Sequence, residues 1–210
     1  MQEYRTVLGS FVSEYTVQRS KFIASIAHTE TEEQATQFIK EIKSKYWDAK
    51  HNVFAYSLRE ANLKRFSDDG EPQGTAGKPV LDVIVGNMLV DTTVVVTRYF
   101  GGILLGTGGL VRAYSKSAKD AVLGAQTVLM KPCLVYEVIC AYSDYNTLEY
   151  LLKNFGAQIV ENNFGADISV KFSIESQNEA DFIKKCNEKF GNSVKIELVG
   201  ENYAPFEINL

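Results

Sequence analysis

Residues 94–110 read VVVTRYFGGILLGTGGL: an apolar β-branched run, an arginine with two aromatics, and five glycines. The first part has the composition of a buried strand. Residues 111–125 then carry helical periodicity, so the stretch predicts a strand that turns through glycine into a helix, which makes the chain a mixed α and β protein. Glycine lets a backbone approach another group closely and adopt positive φ, at an entropic cost. Bare backbone beside a helix N-terminus, with its free N–H groups and positive dipole end, suits an anion.

Working outward, Leu110, Tyr114, Ala118 and Ala121 form the inward face of that helix, and Arg112, Lys116 and Lys119 form a cationic stripe on the opposite side. Arg98 with Tyr99 and Phe100 has the chemistry that clamps phosphates and stacks bases. Arg98, Tyr99, Phe100, Gly101, Gly102, Gly106, Gly108, Gly109, Arg112, Lys116 and Lys119 are therefore the candidate phosphate or nucleic-acid contacts. The glycines do not make a dinucleotide fingerprint, because counting GxGxxG from Gly106 puts Val111 where the third glycine belongs.

Upstream, a capping box of Thr31 and Gln34 opens a helix with Ala35, Phe38, Ile39, Ile42 and Tyr46 on one side. Strands are expected over residues 7–17, 21–26 and 51–58, with a short helix near residues 80–85. A long polar loop, RFSDDGEPQGTAGKP, occupies residues 65–79. Its GTAGKP is not a Walker loop: two residues rather than four separate Gly74 from Gly77, and Pro79 follows Lys78 where a hydroxyl is needed. Asp68, Asp69 and Glu71 read as turn residues, not as metal ligands. His51, at the start of a strand, can orient this loop by hydrogen bonding.

Downstream, Pro132 reads as the end of a helical pattern and a domain boundary, giving domains over residues 1–131 and 132–210. Asp144 is expected to cap a helix with Leu148, Leu151, Leu152 and Phe155 inward and Gly156 as its stop. Residues 162–165 read as a hairpin turn. Ala166, Ile168, Val170, Phe172 and Ile174 alternate with polar residues, a second helix carries Ala180, Ile183, Cys186 and Phe190, and a strand follows over residues 194–198. The order is β-α-β-β-α-β, the ferredoxin-like pattern.

The bulk numbers set limits. Net charge is −4 over 210 residues, yet residues up to 132 carry 16 Lys and Arg against 14 Asp and Glu, so only that part can present a basic face. No apolar run reaches the roughly 20 residues that span a bilayer, and no signal peptide is visible; the chain reads as cytoplasmic. Cys133, Cys140 and Cys186 lack metal spacing and read as reduced core thiols. With two histidines, no HExxH and no GxSxG, no catalytic set, metal site or cofactor is expected.

The blocks GEPQGTAGKPVLDVI (residues 70–84) and VVVTRYFGGILLGTGGLVRAYSKSA (residues 94–118), with His51 ahead of AYSL, resemble the Impact/YigZ family, and the similarity covers essentially the whole chain. The runs RYFGG and LGTGGLVRAY at this spacing are its hallmark. The resemblance singles out the loop residues His51, Asp68, Asp69, Gly70, Glu71, Pro72, Gly77 and Lys78. It implies an α+β protein with an N-terminal ribosomal protein S5 domain 2-like domain and a C-terminal ferredoxin-like domain similar to the last domain of elongation factor G. It also implies a nucleic-acid- or ribosome-associated protein of the bacterial type, read as non-enzymatic and without the upstream protein-binding RWD domain that the translation-regulating eukaryotic members carry. Two alternatives stay open: a small-molecule phosphate- or nucleotide-binding enzyme using the Gly-rich loop, and a protein–protein regulatory module acting through the acidic C-terminal part.

Overall fold

The computed structural model describes residues 2–208. The chain divides into two compact units, one built on Tyr4–Leu129 and the other on Met130–Phe206. No described helix is long and apolar enough to cross a membrane.

The elements of the first unit are β1 (Tyr4–Val7), β2 (Ser10–Val17), β3 (Ser20–His28), α1 (Glu32–Lys45), β4 (His51–Ser57), β5 (Lys64–Ser67), α2 (Gly77–Gly86), β6 (Thr92–Tyr99) and α3 (Gly106–Gly124). Five strands form an antiparallel sheet in the order β2-β3-β6-β4-β5. Both faces are covered, which explains why β6 is apolar at successive positions rather than alternating. Val94 and Val96 pack with α2 and α3 in one core cluster, while Val95 packs with Ala35, Ile39 and Ile42 of α1 on the other face. Arg98, two residues beyond Val96, shares the face that α3 covers. α1 begins as its sequence requires: the Thr31 side chain accepts from the Gln34 N–H at 3.2 Å and Gln34 accepts from the Glu30 N–H at 2.7 Å.

The second unit takes most of β7 (Thr127–Cys140), then α4 (Tyr142–Asn154), β8 (Gln158–Phe164), β9 (Ile168–Glu175), α5 (Glu179–Phe190) and β10 (Lys195–Glu207). Its strands lie in the order β10-β7-β9-β8. Val138, Val170, Phe172, Leu148, Leu152 and Phe182 are fully buried in its core.

Several sequence expectations need correction. α3 starts at Gly106, five residues before the expected helix, because Leu105 and Leu110 pack into the first unit's core and hold a turn that glycine propensity disfavours. Pro132 ends no helix: α3 stops at Gly124 and Pro132 lies inside β7, just before the pairing with β9 begins at Cys133. Asp144 is in the first turn of α4 but does not cap it; Ala141 is the cap residue. Asn162, Asn163 and Phe164 belong to β8, and the turn falls at residues 165–167 because Phe164 pairs with Ile168. Phe182, which the expected face of α5 omits, is its most buried apolar residue along with Cys186. The polar loop is shorter than expected, since Lys64–Ser67 pairs with β4 and α2 begins at Gly77.

Candidate functional site

Asp68 organises the polar loop. Its carboxylate accepts from the backbone N–H groups of Gly74, Ala76 and Gly77 at 2.8, 3.1 and 2.8 Å, serving donors at the start of α2 that no cap residue serves. Asp69 faces elsewhere, accepting from the Asn52 N–H at 2.6 Å and from Lys43 Nζ at 2.7 Å. The His51 Nδ1–H donates to the Asp69 carbonyl at 2.8 Å, so His51 does hold this loop. Gly70, at φ +87°, packs over the His51 ring, and Lys78 pairs with Asp82 on the exposed side of α2. Gly77 lies against the Ser67 backbone, where a Cβ would come within 2.7 Å.

The loop thereby delivers Glu71 to the interior. Glu71 and Arg98 are 8% and 6% exposed, and Arg98 Nη1 donates to Glu71 Oε1 at 2.6 Å. The Tyr114 hydroxyl donates to the same oxygen at 2.7 Å. Burial, reinforced by the Glu71 charge, pushes the Tyr114 phenol far above its ordinary pKa, so it stays a donor. Arg98 Nε is buried without a hydrogen-bond partner among the described residues, and the guanidinium lies 5.5 Å from the ring centroids of Phe22 and Phe100.

A cavity of about 430 Å³ opens over this pair. Besides the pair, Lys50, His51, Pro72, Phe100, Leu104, Leu105, Gly106, Thr107 and Leu110 line it. The start of α3 has no side-chain cap and no acidic residue in its first turn, and Gly106, Thr107 and Gly108 are exposed. Free N–H groups and the positive dipole end therefore border the same cavity as the Arg98 guanidinium.

The glycines divide by role. A Cβ on Gly101 would fall 2.0 Å from the Arg19 carbonyl carbon, so that glycine permits a close approach to the β2–β3 turn. Gly102 and Gly106 have positive φ. Gly108 has neither constraint, meeting only the Arg112 side chain at 3.7 Å, while Gly109 sits close to Leu105.

The structure separates the other candidates. Arg98, Phe100 and Gly106 join His51, Glu71 and Pro72 around the cavity. Tyr99 points away from it, donating to Asp48 at 2.7 Å. Arg112, Lys116 and Lys119 are exposed on α3 outside the cavity lining, and Lys116 pairs with Asp120. Sequence reasoning missed Lys50, Leu104, Leu105 and Thr107 as lining residues, took Leu110 as core alone, and missed Tyr114 as a polar partner; the one signal was the placement of Lys50 directly before His51. A larger hollow of about 700 Å³ in the second unit includes Asp167 and Lys195, but both are exposed. Buried charge belongs to the smaller cavity. The three loop carboxylates diverge, and the described residues contain no group of three His, Cys, Asp or Glu placed to hold a metal.

Residues 18–122 match the family model described as the Impact N-terminal domain, and residues 138–198 match one described as a domain of unknown function, DUF1949. Every residue lining the cavity lies within the first match. An IMPACT family member from Haemophilus influenzae is 33% identical over 202 residues, covering 95% of this chain and 98% of that protein. The IMPACT family member YvyE of Bacillus subtilis is 35% identical over 84% of this chain and 82% of its own length. For YigZ of Escherichia coli the figures are 33%, 88% and 92%. A solved structure described as the crystal structure of a hypothetical protein superposes with a TM-score of 0.61 at 31% identity, covering 95% of this chain and 98% of that one.

Proposed function

The chain belongs to the IMPACT family, and from that premise we propose that it is a non-enzymatic, RNA- or ribosome-associated protein of the cytoplasm, acting in translation. Its first unit binds a phosphate of the RNA at the start of α3. One observation carries this reading: the uncapped, glycine-rich N-terminus of α3, with no acid in its first turn, borders a cavity that Lys50 also lines. Backbone donors fixed in place by a helix bind an anion with little further ordering. The exposed stripe of Arg112, Lys116 and Lys119 lies on the same helix and supplies further phosphate contacts for a longer strand.

The domain assignment belongs to the same proposal. Residues 1–131 form an S5 domain 2-like domain. Residues 132–210 form a ferredoxin-like domain resembling the last domain of elongation factor G, a reading that the strand order β10-β7-β9-β8 supports.

The test is Thr107→Glu. Thr107 is exposed in the first turn of α3, where a carboxylate favours the helix and repels an anion. Binding of a single-stranded RNA by the wild-type chain is expected to weaken steeply as salt rises, and Thr107→Glu to cost about tenfold, the loss of one charge-assisted contact. RNA binding that is absent, or unaffected by Thr107→Glu, overturns the assignment.

A further inference from the structure

The cavity beside α3 is not uniformly cationic. At its buried end Arg98 and Glu71 pair at 2.6 Å, so their charges largely cancel. Both hydrogen bonds to Glu71 fall on Oε1, and Oε2 accepts none from the described residues. A phosphate driven to that end would meet a carboxylate. An uncharged group presenting a donor beside an acceptor would instead find an acceptor in Glu71 and donors in Arg98.

The exposed end has the opposite character. There the first-turn N–H groups of α3 favour negative charge, with no acid in that turn, and the exposed Lys50 is also part of the lining. Apart from His51 and Thr107, the rest of the lining is apolar. Phe100 is half exposed, with the Arg98 guanidinium 5.5 Å from its ring centroid, and Leu105 and Leu110 stand with it around the cavity. A volume of about 430 Å³ is within the range of small-ligand pockets.

Resting on the anion reading above, we infer that the cavity takes one nucleotide base-first, with the base against Phe100 and its hydrogen-bonding edge toward Glu71 and Arg98. The phosphate stays at the mouth, on the start of α3. Every base carries an N–H beside an acceptor on its pairing edge, so this pair receives a base without dictating which one. Stacking on an exposed aromatic is equally tolerant of sequence. The nucleotide is either a free mononucleotide or the terminal residue of an RNA strand.

Calorimetric titration of the full chain distinguishes these, using adenosine and guanosine 5′-monophosphates, ribose 5-phosphate, a 5′-phosphorylated RNA and the same RNA circularised. The mononucleotides are expected to bind at least about tenfold tighter than ribose 5-phosphate. Phe100→Ala should bring the mononucleotides down to the ribose 5-phosphate level; Phe100 is half exposed, so the variant can fold. Competition by linear but not circular RNA identifies a strand end as the source, and mononucleotide binding without competition from either identifies the free nucleotide. Ribose 5-phosphate binding as tightly as the mononucleotides overturns the base-first orientation and leaves the anion site intact. Linear and circular RNA binding alike, with no mononucleotide affinity, overturns it too and leaves RNA association standing. If neither RNA nor any of the phosphates binds, both readings fall.

Discussion

The Tyr114 hydroxyl donates to Glu71 Oε1, the oxygen already held by Arg98, so a helix, a loop and a strand end meet at one atom. Each partner is needed because the others are buried. Arg98→Met alone should destabilise by about 3–5 kcal/mol, since it strands the Glu71 charge in the interior. Glu71→Gln alone strands Arg98. The double variant is expected to be less destabilised than the sum of the two, and urea unfolding of the four proteins measures the coupling.

Tyr114→Phe separates the hydroxyl from the ring. The ring keeps its edge contact with Phe22 at 5.2 Å, so the loss is confined to one hydrogen bond to a charged group, about 1.5–3 kcal/mol. A larger loss in urea unfolding would mean that the ring packing had changed as well.

Gly101 and Gly108 should respond in opposite directions to alanine. Gly101→Ala drives a Cβ into the Arg19 backbone and is expected to cost about 4 kcal/mol or more, in the exceptional range for one substitution. Gly108→Ala, helical and unobstructed, is expected to stabilise by about 0.5–1 kcal/mol. Paired melting curves check both.

Thr31→Ala removes the α1 cap bond to the Gln34 N–H and should cost about 1 kcal/mol in unfolding free energy. Its effect on RNA binding should be nil, because Thr31 lies outside the cavity lining.

Alkaline pH should destabilise both units. Burial, with a hydrogen bond to Glu32, pushes Tyr56 up to about 12, and burial, with a hydrogen bond to Glu179, does the same for Tyr136. Both folded values lie above the ordinary value near 10. The stability they contribute is fully present below pH 10 and is lost as pH rises toward 12. Ultraviolet titration of the phenols alongside unfolding checks the window; ionisation of Tyr56 and Tyr136 near pH 10 in the folded chain would contradict it.

Local signals carried the parts of this fold that local forces determine. The Thr31–Gln34 box and the spacing of Ala35, Ile39 and Ile42 place α1, and alternation from Ile168 to Ile174 places β9 with the correct face inward. The start of α3 was not legible, because three glycines argue against a helix until Leu105 and Leu110 are seen packed in the core. Pro132 misled because a strand tolerates it where a helix does not. At the candidate site, Arg98 and the glycines were visible as unusual chemistry. The partner that fixes Arg98 was not, since Glu71 lies 27 residues away in a stretch whose local pattern reads as turns. Sequence spacing on one helix favoured the exposed lysines; burial favours the cavity.

The ion pair at the base of the cavity is also part of the first unit's foundation, since Tyr114 lies fully buried in the core and Arg98 sits over Phe22. Anything that settles there is bound by the folded chain and by no unfolded one, and so must raise the temperature at which the whole unit melts. The protein can therefore serve as its own detector: a collection of cellular metabolites and RNA fragments can be screened by heat alone, with no assay of activity.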